Sequence, residues 1–414
     1  MNSSFNASTQ ASSELLMSLA RPQARGLPDY NAGLAPAVVR QRYHLPPEQP
    51  LACLASNENP FGASPAVARV LAELALSGEL SRYPDARCTA LRAAIAAGLS
   101  VAPERLVFGN GSEDLLKLLC EVFLQPGDRV LTQRPAFGLH EIYPRLMGAE
   151  VELLDLTEAM TFDVEAWCTA LARGPKLAFV PNPSNPVGCA FDRAAMTRLL
   201  AATPAHTLLV LDEAYYEYAR LKPGYPEVLE LLHARSGPWI VLRTFSKAWG
   251  LAGLRVGYGV ASDAAMVALL DKVRSPFNVN HAAQSAALAA WNDPAHMQAN
   301  VARTVRLREA LAARLRALAQ LGQPGHPFAG LRIAPSAANF LFLDLGQPSA
   351  PVAEALLARG VIVKPWKEPG FTHCLRVSIG SEDDNLRFVQ ALMQVITQAL
   401  DATVEPTHGH AQVA

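Results

Sequence analysis

The 414-residue sequence has almost no net charge: 36 Lys and Arg against 37 Asp and Glu leave a formal -1. Without a basic excess no global field draws in nucleic acid or an anionic membrane surface, so the expected partner is a small molecule. No apolar run approaches the roughly 20 residues that a membrane helix needs. The N-terminal stretch, MNSSFNASTQASSELLMSLARPQAR, also lacks the basic start and continuous apolar core of a secretory signal. A cytoplasmic protein is expected, and the Asn-X-Ser sequons at Asn2 and Asn6 read as chance matches. Cysteine is sparse: Cys53, Cys88, Cys120, Cys168, Cys189 and Cys374 are scattered with no C-x-x-C. A disulfide framework and a zinc motif are therefore excluded, and no metal site is expected. His408 and His410 read as solvated residues near a chain end. No repeat or low-complexity tract is present, which leaves a solenoid without support.

What is present is apolar residue in quantity. Half of the chain is hydrophobic and 18% is charged, enough to bury cores for more than one domain at about 150 residues each. Short apolar runs at 105–108 (RLVF), 129–132 (RVLT), 177–180 (LAFV), 207–211 (TLLVL), 239–242 (WIVL) and 254–260 (LRVGYGV) alternate with helical patterns. That alternation predicts an α/β fold whose mainly parallel, doubly wound sheet is covered on both faces. From Met297 to Leu321 apolar residues recur at helical spacing with Arg between them, predicting a long amphipathic helix that joins two lobes. Beyond it NFLFLDL, GVIVKPW and HCLRVSIG read as strands, PVAEALLARG as a helix among them, and a last helix starts near Glu382. These make a smaller α+β domain. Residues 1–28 and 401–414 are polar and aperiodic, and both are expected to be disordered.

In doubly wound sheets ligands bind outside the carboxyl ends of the strands, so residues just after each strand are the first candidates. In FGNGSEDLL a strand ends in Gly109-Asn110-Gly111 and a helix opens at Ser112, which reads equally as an anion site or as a capped helix start. In FVPNPSNPVG three prolines between 181 and 186 hold Asn185 rigidly, either for function or as a stiff connection. TLLVLDEAYYEY ends a strand with Asp212 and Glu213, followed by Tyr215. LRTFSKAWGLAGLRVGYG places Lys247 among small and apolar residues with Arg255 eight positions on. A lysine in a partly apolar pocket beside other cations loses its proton more easily and becomes an amine nucleophile; the alternative is a solvated loop lysine.

Asn185, Asp212, Tyr215, Lys247 and Arg255, in this order, resemble the signature of fold-type I pyridoxal-phosphate aminotransferases. Together with LASNENPFG, SRYPD around Tyr83, GNGSEDLL and SKAWGLAGLRVGYG, the chain from about Tyr30 to Leu392 is similar to the histidinol-phosphate aminotransferase family. The resemblance implies a large cofactor-binding domain over 62–295 and a small domain built from 29–61 and 296–400.

It also implies roles. Lys247 joins the aldehyde of pyridoxal phosphate and later moves the substrate proton, while Asp212 pairs with the pyridine nitrogen. Asn185 and Tyr215 donate to the phenolic oxygen, and Phe137 stacks on the ring. The phosphate is held by the backbone of Ser112 and Glu113, the hydroxyls of Thr244 and Ser246, and Arg255. Tyr83 reaches the phosphate from the neighbouring subunit of a homodimer. Arg376 binds the substrate's carboxylate or phosphate, with Lys364, Asn57 and Tyr30 lining the same pocket.

Four features depart from the family pattern, one of them Trp249 after the lysine. The helix opens Ser112-Glu113-Asp114 in place of Ser-Asp-Glu, Lys364 stands where an Arg is frequent, and Phe137 replaces Tyr. The implied reaction is transfer of an amino group between histidinol phosphate and 2-oxoglutarate, an amino donor and a 2-oxo acid. An aromatic amino-acid aminotransferase and a threonine-phosphate decarboxylase are the nearest rivals. A regulatory module that binds the cofactor is disfavoured, because the residues ahead of the match are too few and too little basic for a nucleic-acid-binding domain.

Overall fold

Leucine-rich and β-branched runs of four to six residues, bounded by turn formers, are too short for stable helices and pair as strands. The computed structural model describes residues 14–28, 33–320, 326 and 328–404, with side chains as far as residue 398; Tyr30 lies outside the described residues. The strands are β1 (Ala52–Cys53), β2 (Leu106–Gly109), β3 (Arg129–Gln133), β4 (Glu150–Leu154), β5 (Leu177–Pro181), β6 (Leu208–Asp212), β7 (Trp239–Thr244), β8 (Gly257–Ala261), β9 (Arg332–Ile333), β10 (Phe340–Asp344), β11 (Val361–Ile362), β12 (Lys364–Pro365) and β13 (Cys374–Ser378).

Seven of them form the main sheet in the order β2-β8-β7-β6-β5-β3-β4. Pairings among β3 to β7 are parallel, whereas β8 runs antiparallel to both β2 and β7. The sheet is mainly parallel, as expected, with one strand reversed. Every residue of β5, β6 and β7 is buried, which is why these runs lack a polar alternation. β4 has no counterpart among the expected strands: EVELL alternates acid with apolar residue and is only half-buried at the sheet edge.

β3 has β4 on one side and β5 on the other, so the chain reverses its winding there and opens a crevice at the carboxyl ends. Residues following β3, β5, β6 and β7 all emerge at that edge.

The smaller sheet is antiparallel, ordered β12-β13-β10-β9, and β1 pairs in parallel with β11 beside it. This pairing ties the segment around residue 52 to the C-terminal lobe. The long helix, α3, runs Pro294–Gln320; α1 (Ser112–Phe123), α2 (Leu139–Leu146) and α4 (Glu382–Val404) are the others used below. Along α3, Met297 and Val301 pack into the core under the main sheet, while Leu311, Ala312 and Leu315 pack with Leu343, Val377 and Phe388. The helix therefore spans both lobes, as its length predicts; its expected last residue, Leu321, lies outside the described residues.

Of the segments expected to be disordered, 14–28 contains helical turns at 14–19 and at Pro22–Arg25. Leucine-rich ELLMSL favours the first, and proline at the opening position presets the second. Arg21 Nη2 donates to the Leu146 carbonyl at 2.9 Å, and at the other end α4 continues to Val404. Among the described residues no helix is long and apolar enough to cross a membrane.

Candidate active site

Helix α1 opens directly after Gly111, whose φ of +83° favours glycine. The first N–H groups of a helix have no partner within it, so those of Ser112 and Glu113 are donors for an anion. Two close approaches shape this end. A Cβ on Gly257 would lie 2.3 Å from Ser112 N, and one on Gly111 would lie 2.6 Å from Arg255 Nη2. The glycines thus let β8 and the Arg255 guanidinium close on the helix start. Arg255 itself takes a left-handed φ of +58°, rare outside glycine and most often kept at functional sites. Its Nη2 is 3.5 Å from Glu113 Oε2. After β7, Thr244 Oγ1 accepts from Ser246 N at 3.1 Å and donates to Ser246 Oγ at 3.1 Å, which fixes two hydroxyls in one buried turn.

Lys247 leaves the same turn. Its Nζ donates to the Ser56 carbonyl at 3.0 Å and sits 6.0 Å from the centre of the Tyr215 ring. Burial lowers its pKa to about 8, and Arg376 and Arg255 push in the same direction. On the neighbouring strand Asp212 ends β6, with Oδ1 accepting from Ala214 N–H at 3.1 Å and Oδ2 lying 3.1 Å from His140 Nε2. Glu213 turns the opposite way, as alternate strand residues must, and forms a buried ion pair with Arg243 at 2.7 Å. Of the two acids only Asp212 is at the crevice.

His140 was not among the sequence candidates. It lies on α2, is fully buried, stacks on Phe179 at 4.9 Å between ring centres, and has no hydrogen-bond partner for Nδ1. A lone histidine five residues after a proline carries no signal by itself; only the fold brings it to Asp212. Phe137, half-buried ahead of α2, meets His140 edge-on at 5.7 Å.

Three consecutive residues, 55–57, line up against the site. The Ala55 carbonyl accepts from Arg376 Nη2, the Ser56 carbonyl from Lys247, and Asn57 Nδ2 donates to the Tyr215 hydroxyl oxygen at 3.0 Å. Ala55 and Ser56 act through backbone, which no residue type announces. Arg376, on β13, also donates from Nη1 to Asn185 Oδ1 at 2.6 Å, which turns the amide so that its NH2 faces away from the guanidinium. The Asn185 amide is thereby left with its NH2 as a donor.

Asn57, expected in the substrate pocket, is only 1% exposed and its amide and backbone are bonded to protein. Lys364 stands directly opposite Arg376 in the β12–β13 register, and burial together with Arg376 lowers its pKa to about 8. Tyr83 is 81% exposed and stacks on Phe277 at 4.6 Å between ring centres.

One group of metal-ligand types occurs elsewhere among the described residues: Asp344, His373 and Cys374 bring ligand atoms within 4.8 Å of one another. Arg332 already holds the Asp344 carboxylate, and burial pushes the Cys374 thiol up to about 12. Both features oppose cation binding.

The crevice thus offers, near adjoining strand ends, free helix N–H groups with Arg255 for an anion, a lysine with weakened proton affinity, a carboxylate held by two hydrogen bonds, and the Asn185 amide and Tyr215 hydroxyl. This set matches pyridoxal phosphate group by group: phosphate, aldehyde, ring nitrogen and phenolic oxygen. A family model described as aminotransferase class I and II matches residues 50–392. Histidinol-phosphate aminotransferase 3 of Rhizobium meliloti is 44% identical over 376 residues, covering 91% of this chain and 97% of its own. Histidinol-phosphate aminotransferase 1 of Mesorhizobium japonicum is 44% identical over 368 residues, 89% of this chain and 95% of its own. Among solved structures, histidinol-phosphate aminotransferase from Sinorhizobium meliloti in complex with pyridoxal-5'-phosphate superposes with a TM-score of 0.80 at 26% identity, covering 92% of this chain and 98% of that one. The chain is a class I and II aminotransferase and belongs, within that group, to the histidinol-phosphate aminotransferase family.

Proposed function

We propose that this protein is a cytoplasmic, homodimeric aminotransferase that uses pyridoxal phosphate to move an amino group from histidinol phosphate to 2-oxoglutarate. When bound, the cofactor supplies an electron sink that makes the substrate Cα acidic. Asp212 keeps the ring nitrogen protonated. A carboxylate at ~4 Å in an effective dielectric of ~20 is worth about 4 kcal/mol, and ~1.4 kcal/mol moves a pKa by one unit. His140 and the Ala214 N–H hold that carboxylate in place.

Lys247, with its pKa near 8, has an appreciable unprotonated fraction at neutral pH. It can therefore attack an aldehyde, and once released it can carry a proton at Cα. Asn185 and Tyr215 donate to the phenolic oxygen. The Ser112 and Glu113 N–H groups, Thr244, Ser246 and Arg255 hold the phosphate, and Phe137 covers the ring. Tyr83 would complete the phosphate site of the partner subunit.

The observation that carries the substrate assignment is the facing pair Lys364 and Arg376. Both proposed substrates bring two negative charges, a phosphate ester in one case and two carboxylates in the other. Two adjoining cations answer that common requirement, Arg376 by its fork and Lys364 as a point charge. The names of the relatives support the same reading.

The test is a set of half-reactions with the cofactor-loaded protein, following the change of its visible absorbance on adding histidinol phosphate, phenylalanine or threonine phosphate. Histidinol phosphate is expected to react faster than the others by at least about tenfold. A faster reaction with phenylalanine, or carbon dioxide release from threonine phosphate, would replace this reading by the corresponding rival. Lys247→Ala should lose both the lysine-linked absorbance and turnover, and normal turnover in that variant would remove the mechanism.

A further inference from the structure

Asn57 is held in a left-handed conformation, φ +54°, by contacts that all come from the small lobe. Its backbone N–H donates to Ser378 Oγ at 2.8 Å, the Ser378 hydroxyl donates to Asn57 Oδ1 at 3.0 Å, and Asn339 Nδ2 donates to the Asn57 carbonyl at 2.9 Å. Ser378 ends β13 and Asn339 precedes β10. The remaining polar group, Nδ2, donates to the Tyr215 hydroxyl oxygen at 3.0 Å.

The direction of this last bond follows from the contact with Ser378. A backbone N–H can only donate, so Ser378 Oγ accepts from it; the hydroxyl is buried, 2% exposed, and its proton goes to the Asn57 amide oxygen at 3.0 Å. An amide with its oxygen at Ser378 has its NH2 at Tyr215. The Tyr215 oxygen is then an acceptor in this contact, and its hydroxyl proton is not consumed by Asn57. In the flipped orientation Tyr215 would have to donate to Asn57.

We infer that Asn57, pinned by Ser378, is a positioning residue that makes Tyr215 a hydrogen-bond donor toward the cofactor's phenolic oxygen. The inference rests on the placement of Tyr215 proposed above. Because the pin comes from β13, the small lobe sets the donor state of a residue in the large one.

The experiment is a pH titration of the visible absorbance of the cofactor-loaded protein in six forms: wild type, Asn57→Asp, Ser378→Ala, Tyr215→Phe, and each of the first two substitutions combined with Tyr215→Phe. A carboxylate at position 57 only accepts, so Tyr215 turns its proton toward it. The phenolic oxygen then loses a donor and its negative charge holds the neighbouring proton more tightly. The midpoint of Asn57→Asp should rise, by about one unit, as should that of Tyr215→Phe.

The added charge raises the midpoint by itself, and the Tyr215→Phe background isolates this part. Asn57→Asp should shift the midpoint clearly less there than in wild type. Ser378→Ala adds no charge, frees the amide to flip, and should give a smaller rise that Tyr215→Phe abolishes; it decides the matter if Asn57→Asp does not fold. Equal shifts in both backgrounds, or no shift in Ser378→Ala, would overturn the inference. A Tyr215→Phe midpoint equal to wild type would instead overturn the placement of Tyr215, and the inference with it.

Discussion

If Lys364 holds the substrate's anion as proposed, that binding depends on a proton. Burial and Arg376 bring its pKa down to about 8, so the ammonium is present below that pH and lost above it. The KM for histidinol phosphate should therefore rise as pH passes 8 in the wild-type protein. Lys364→Arg keeps its charge throughout, because a guanidinium has a pKa above about 12, and it adds the fork that the lysine lacks. Its KM should be lower at neutral pH and flat where the wild-type value climbs. Steady-state KM measured from about pH 6.5 to 9.5 decides this, and a parallel climb in both proteins would place the titration on another group. A second residue test concerns His140. Its removal to Ala leaves Asp212 without one of its two braces, and a hydrogen bond to a charged group is worth about 1.5–3 kcal/mol. Reconstitution of the apoprotein should then need at least about tenfold more cofactor. The residues that make up this site were legible in unequal measure. Asp212, Asn185 and Lys247 follow strands and stand out by type, so sequence alone singled them out. His140 and the carbonyls of Ala55 and Ser56 did not, since the first has an unremarkable local context and the others contribute only backbone. Asn57 was legible as a candidate but its place was not, because Ser378 and Asn339, more than 280 residues away in sequence, decide which way it faces.

At the scale of elements, the proposed phosphate cradle depends on how closely β8 can pass the start of α1. Gly257→Ala would put a Cβ 2.3 Å from Ser112 N, so the strand and helix must separate, and Arg255 two residues earlier moves with the strand. Cofactor affinity should fall by at least about tenfold, on the scale of a lost charge-assisted contact. Gly253→Ala in the same segment meets nothing within 4 Å and should leave affinity unchanged, which separates a local collision from a general effect of added alanine. Fluorescence titration of the two apoproteins with pyridoxal phosphate makes the comparison. The same two elements mark what pattern reading resolves. Helix α1 begins at Ser112, where the glycines and acidic first turn place it, because these signals are local, although no side chain caps it. The direction of β8 is not local: GYGVA pairs equally well either way, and only its neighbours β2 and β7 fix it as antiparallel. β4 escaped for a related reason, since half-burial at an edge removes the continuous apolar run that reveals the inner strands.

For the whole molecule, the exposed aromatic surface around Tyr83 has to be accounted for; Asn278, next to Phe277, bonds to the Phe108 carbonyl and to Asp114 at the start of α1, so this surface borders the anion end of the crevice. Tyr83 and Phe277 stack on each other with 81% and 37% of their surfaces open, and Leu80 beside Tyr83 is 59% exposed. A twofold axis beside this surface would bury it between two copies of the chain, and in the proposed dimer Tyr83 would then face the partner's phosphate cradle. The consequence is a linkage between assembly and cofactor. If the dimer binds pyridoxal phosphate more tightly than the monomer, dilution must weaken binding, and added cofactor must strengthen the dimer by the same free energy. Phe277→Glu places a charge in the contact and should shift the protein toward monomer in sedimentation velocity while raising the cofactor Kd. Tyr83→Phe removes only the hydroxyl, so it should leave the dimer intact and weaken phosphate binding by about 0.5–1.5 kcal/mol, the net worth of one ordinary hydrogen bond. A Phe277→Glu monomer that binds cofactor as tightly as the wild-type protein would show a phosphate site complete within one chain.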